Sequence, residues 1–128
     1  MDVLLDTQII YAVVQNKLPN LPSAIGDLIL TDKARVSVSV VSLWEIAIKW
    51  RLNKLGLESE LGLLPGLIRS HGFSILNIDE AHVLAEIAPE LQHRDPFDRL
   101  LLGICAVEGM RLLTVDKALL NHPLAWRA

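Results

Sequence analysis

Short apolar runs alternate with polar breaks along this chain, and two periods run through them. Met1–Leu5, apolar but for Asp2, reads as a buried strand that ends on Asp6. Ile9, Ile10, Val13 and Val14 then recur at helical spacing and predict a helix over Thr7–Gln15. Asn16 to Pro22, with two prolines, is a turn, and Ser23 to Leu30 a second helix with Ile25, Leu28 and Ile29 on one face. Arg35–Ser39 alternates with period two, which is a strand. Ser42–Asn53 is the strongest helical pattern and stops before Gly56. A further helix is expected over Glu58–Ser70, a strand over Phe73–Ile78, and a helix from the Asp79 cap to Ile87. After a loop from Pro89 to Arg94, Asp95-Pro96 opens a helix that runs through Val107 and stops near Gly109. Arg111–Val115 is a fourth strand, and Leu124–Trp126 predicts a short fifth.

Strands that alternate with helices imply a parallel sheet covered on both faces, a three-layer α/β/α sandwich. Right-handed crossovers allow the strand order 3-2-1-4-5, with the first and fourth strands adjacent at the switch point. With 128 residues, 52% of them hydrophobic, and no repeat or linker, one domain over 1–128 is expected. No apolar run is long enough to span a bilayer, the N-terminus lacks a basic region, and Cys105 stands alone. The expected compartment is the cytoplasm.

The chemistry lies in where the acids fall. Asp6 and Asp116 end strands, while Glu45 and Asp98 sit near the starts of helices. Helices that follow parallel strands begin at the strands' carboxyl edge, so all four acids are expected at one rim. Strands 1 and 4 would bring Asp6 and Asp116 about one strand spacing apart, ~5 Å. Carboxylates gathered there repel one another unless a cation lies among them, and oxygen donors suit Mg²⁺ or Mn²⁺. Each acid also has a purely structural reading. Asp6 and Asp116 can cap helices, Ser42-Leu43-Trp44-Glu45 fits a capping box, and Asp98 suits the positive end of its helix. Asp95 can cap, or support Asp98 from three residues away, and Thr7 can cap or hydrogen-bond a ligand carboxylate.

Net charge is −3, which disfavours nucleic acid at face value. The balance turns weakly positive if the four acids are neutralised by metal, and Lys49, Arg94, Arg99 and Lys117 lie close to them in sequence as candidate phosphate contacts. The four histidines lack zinc spacing. There is no glycine-rich phosphate loop and no Gly-x-Ser-x-Gly elbow. A haloacid-dehalogenase-type phosphatase wants a second Asp two residues after the first, where Gln8 stands. Trp44 and Trp50 read as core or interface packing.

Four segments, Leu4-Leu5-Asp6-Thr7, Ser42–Lys49, His93–Leu101 and Thr114-Val115-Asp116, together resemble PIN-domain proteins, most closely the VapC-type toxins of toxin–antitoxin pairs. The resemblance covers the chain in order. It implies a Mg²⁺- or Mn²⁺-dependent endoribonuclease whose acidic quartet is Asp6, Glu45, Asp98 and Asp116, with Asp95 an addition. It further implies a homodimer and a cognate small antitoxin, for which Trp44, Trp50, Leu52, Leu55 and Leu57 offer apolar surface. The rival is a non-catalytic α/β binding module whose acids are only helix caps.

Overall fold

Four short parallel strands form the middle layer: β1 (Asp2–Leu5), β2 (Arg35–Ser39), β3 (Ser74–Leu76) and β4 (Arg111–Leu113). They lie in the order β3-β2-β1-β4, the expected one and one that right-handed crossovers allow. The computed structural model describes residues 1–31, 33–52 and 61–128. The fifth strand is reduced to one parallel bridge between Leu112 and Ala125. Pro123 explains its shortness, because proline has no N–H to add to a ladder.

Period-two burial splits the core between the two faces. Val3 and Leu5 of β1, with Val36 and Val38 of β2, pack on α1 (Thr7–Val14), α2 (Ser23–Leu30) and α4 (Leu64–Ser70). Leu4 and Leu112 point the other way, onto Leu101, Leu102, Ile104 and Cys105 of α6 (Pro96–Glu108). Between these two layers α3 (Val40–Arg51) serves both, with Ile46 in the first core and Val41 in the second. Fully burying one such aliphatic side chain contributes roughly 1.5–3 kcal/mol. The result is the expected α/β/α sandwich.

The ends of α6 follow from local chemistry. Asp95 accepts from the backbone N–H of Phe97 and Asp98, and Pro96 occupies the first turn. Gly109 closes the helix at φ 67, a left-handed conformation that glycine adopts freely. The short α5 (Glu80–Leu84) ends before the expected Ile87. Ala85 is extended and its carbonyl accepts from the Arg99 guanidinium, so the helix does not continue. The predicted helix over Glu58–Ser70 begins as a tight turn at Leu61–Leu63 and is α-helical from Leu64; Glu58–Glu60 lie outside the described residues.

The Ser42–Glu45 capping box does not form. Ser39, the last residue of β2, is the cap: its Oγ accepts from the Val41 N–H at 3.0 Å. Val40 and Val41 look like a continuing strand, yet the chain turns into α3 directly after Ser39. Ser42 is fully buried instead, and its Oγ accepts from the Thr7 hydroxyl at 3.0 Å. Glu45 therefore stands beyond the first turn of α3, with no part in capping.

Candidate functional site

Asp6 leaves the carboxyl end of β1, and its own N–H extends the ladder to Leu113 of β4 at 2.9 Å. That bond places Asp6 beside the segment that leads from β4 to Asp116. The Asp6 carboxylate is 4% exposed. Its Oδ1 accepts from the Thr7 N–H at 2.8 Å, capping α1, and its Oδ2 accepts from the Thr114 hydroxyl at 2.6 Å. Burial pushes its pKa upward against these two donors, and the negative charges of Glu45 and Asp116 push it the same way.

Asp98 lies in the first turn of α6 and is 8% exposed. Burial raises its pKa from 3.8 to about 6; the bond from His93 opposes the rise, and Asp95, Asp6 and Asp116 add to it. The His93 Nε2 lies 2.9 Å from Asp98 Oδ2. Glu45 is partly buried on α3 and pairs with Lys49 one turn on, at 3.0 Å. Asp116 follows β4; its Oδ1 accepts from the Ala118 N–H at 2.9 Å, and its N–H donates to the Thr114 Oγ1.

The four acids come from four places: Asp6 from the turn between β1 and α1, Asp116 from the segment after β4, Asp98 from the first turn of α6 and Glu45 from the middle of α3. Asp6 is in electrostatic reach of Glu45, Asp116 and Asp98, and Asp98 is in reach of Asp116. Among the described residues no three acidic, histidine or cysteine side chains already close a cage tight enough for an ion. The donor set is nonetheless of one kind: carboxylate oxygens, two of them buried and costly to ionise, facing the same rim. A hard dication is the ligand that such a set fits.

Other expected participants fall into different places. Asp95 has the helix-capping role, and it also adds negative charge beside Asp98. Thr7 presents its backbone N–H to Asp6, while its hydroxyl serves Ser42 and so ties α1 to α3. Lys49 faces Glu45. Arg94 and Lys117 are exposed. Arg99 is not aimed at the acids: its guanidinium donates to Ala85 O at 2.6 Å and pairs with Glu90 at 2.5 Å. It fastens the loop before α6 to that helix, a job its position in the motif did not reveal.

Three residues that the sequence did not assign to the site matter in the structure. Thr114 joins Asp6 to the Asp116 backbone, Ser42 braces Thr7, and His93 holds Asp98. All three stand inside the quoted motifs, which was the only signal available for them. Of the two readings of Trp44, core or interface packing, the core is excluded: the residue is 58% exposed and meets Phe97 edge-on, ring centres 5.2 Å apart. Leu55 and Leu57, expected to extend that apolar surface, lie outside the described residues.

Among curated proteins, none matches this sequence. A family model does: that of the PIN domain, over residues 3–123. The match runs from β1 through the turn after β4 and so takes in all four acids and every strand. Fold order, the acidic rim and the matched span agree, and the chain belongs to the PIN-domain family.

Proposed function

We propose that this protein is a Mg²⁺- or Mn²⁺-dependent endoribonuclease and the toxin of a toxin–antitoxin pair. PIN domains are generally metal-dependent nucleases. The observation that carries the reading here is the gathering of Glu45, Asp98 and Asp116 around Asp6 at the carboxyl end of β1, each within electrostatic reach of it. The helix-cap alternative accounts for Asp6, Asp95 and Asp116, whose carboxylates do accept backbone N–H groups. It leaves Glu45 without a cap to make and Asp98 buried against other acids.

Asp6 and Asp98 are the principal metal ligands, and Asp116 and Glu45 complete the set directly or through water. When bound, a dication lowers the pKa of a coordinated water and offsets charge on the scissile phosphate. Thr114 and Thr7 fix the Asp6 carboxylate, Lys49 steadies Glu45, and Arg94 and Lys117 stand exposed to meet phosphate. One of the acids, with Glu45 foremost, orients the attacking water.

The partner surface follows the exposed side of α3. Trp44 and Leu52 are more than half exposed, with Phe97 beside Trp44. This surface seats a second copy of the chain or an antitoxin helix. No described helix is long and apolar enough to cross a membrane; the proposed compartment is the cytoplasm.

The test is cleavage of RNA by the purified protein with Mg²⁺ or Mn²⁺, wild type beside Asp98→Asn, with and without chelator. The reading expects metal-dependent cleavage by the wild type alone. Equal, chelator-resistant cleavage by both proteins would refute it.

A further inference from the structure

The nuclease reading leaves one polar contact at the rim without a role. His93 belongs to the loop before α6, outside any helix or strand, and its side chain is one-third exposed. The Asp95 cap and Pro96 turn that loop back over the first turn of α6. The fold-back brings His93 Nε2 to 2.9 Å from Asp98 Oδ2 across five residues of chain. A carboxylate accepts but does not donate, so the imidazole is the donor and carries its proton on Nε2.

We propose that His93 is a positioning residue for Asp98: by holding Oδ2, it fixes the carboxylate so that Oδ1 is the oxygen presented to a divalent cation. The inference rests on the metal-dependent reading above. A free aspartate rotates about its last bond and exchanges its two oxygens. A ligand whose second oxygen is already hydrogen-bonded loses less freedom on binding, which is why groups behind a metal ligand typically change affinity by ~10–100-fold. Asp6 has the same provision from Thr114 and Thr7, so both principal acids are held from outside the site.

Two conservative variants separate this role from others. The amide nitrogen of glutamine occupies about the place of Nε2, whereas that of asparagine occupies the place of Nδ1. Calorimetric titration with Mn²⁺ alone, no RNA present, should show His93→Ala weakening binding by ~10–100-fold. His93→Gln should recover most of that loss and His93→Asn little of it. Metal-free thermal stability, measured alongside, should rank the variants differently from their Mn²⁺ affinity. In RNA cleavage, saturating Mn²⁺ should restore much of the His93→Ala activity.

Equal Mn²⁺ affinity in wild type and His93→Ala would overturn the proposal and leave the nuclease reading standing. So would His93→Gln binding Mn²⁺ no better than His93→Ala, since a donor restored at the place of Nε2 would then not be what fixes the carboxylate. No Mn²⁺ uptake by the wild type would sink both.

Discussion

Thr114 and Asp6, 108 residues apart in the chain, share a hydrogen bond of 2.6 Å at the junction of β1 and β4. Thr114 is 2% exposed, and its hydroxyl oxygen also accepts from the Asp116 N–H, so one side chain couples two acids. Thr114→Val keeps the shape and removes the donor. Asp6 then stays buried with one partner fewer, at a cost of ~1–3 kcal/mol. Urea denaturation of the metal-free protein checks this. Unaltered stability would mean that Asp6 finds another donor.

The raised pKa of Asp98 has a definite sign in stability. Folding lifts it from 3.8 to about 6, so the folded state binds the proton more tightly. Its contribution is complete below the unfolded value and is lost as pH rises through about 6. Asp98→Asn, which cannot ionise, should gain on the wild type across that interval, by up to roughly 3 kcal/mol at pH 7 in chelator. Excess Mg²⁺ or Mn²⁺ should reverse the order, since a ligand at a thousand times its Kd adds ~4.1 kcal/mol to the protein that binds it. Unfolding curves at several pH values, with and without metal, give both results. A gap that does not vary with pH would contradict the burial argument.

Arg99 is expected to matter for stability rather than for RNA. Arg99→Met removes the bond to Ala85 and the pair with Glu90, the first of which holds the end of α5. A loss of about 1–2 kcal/mol is expected, mostly from the Ala85 carbonyl left without its donor. The salt dependence of RNA binding should not change. A flatter slope in the variant would return Arg99 to the phosphate contacts.

Gly103 of α6 packs directly against the backbone of α5. A methyl group there would meet the His82 carbonyl oxygen at 2.7 Å, and that oxygen is backbone. Gly103→Ala must push the two helices apart, costing ~1–3 kcal/mol despite alanine's better helix propensity. Because Gly103 is more than a helical turn along α6 from Asp98, Mn²⁺ affinity should be retained. A stabilised variant would show that α5 yields easily.

Much of this fold was legible because its strands and helix ends are locally determined. Arg35–Ser39 alternates strictly and is a strand over those residues. Asp95-Pro96 and Gly109 bracket α6 with cap chemistry that needs no tertiary help. The acidic rim followed from topology, since strand ends and the helices after them share an edge. What was not legible depends on contacts between distant segments. Ser39 and Ser42 are equally good caps by sequence, and the choice is made by Thr7, which draws Ser42 into the interior. The carbonyl of Ala85 is taken by a side chain fourteen residues later. His93 reaches Asp98 only because a turn folds back on itself, and no spacing announces that.

The single bridge at Leu112–Ala125 has a further consequence. Leu112 is the middle residue of a three-residue strand, and it turns its N–H and C=O toward the outer side. Both are taken: the N–H donates to Leu124 at 2.8 Å, and the C=O accepts from Trp126 at 2.8 Å. A neighbouring molecule therefore finds no unsatisfied ladder to extend at Leu112, so this margin resists edge-to-edge aggregation.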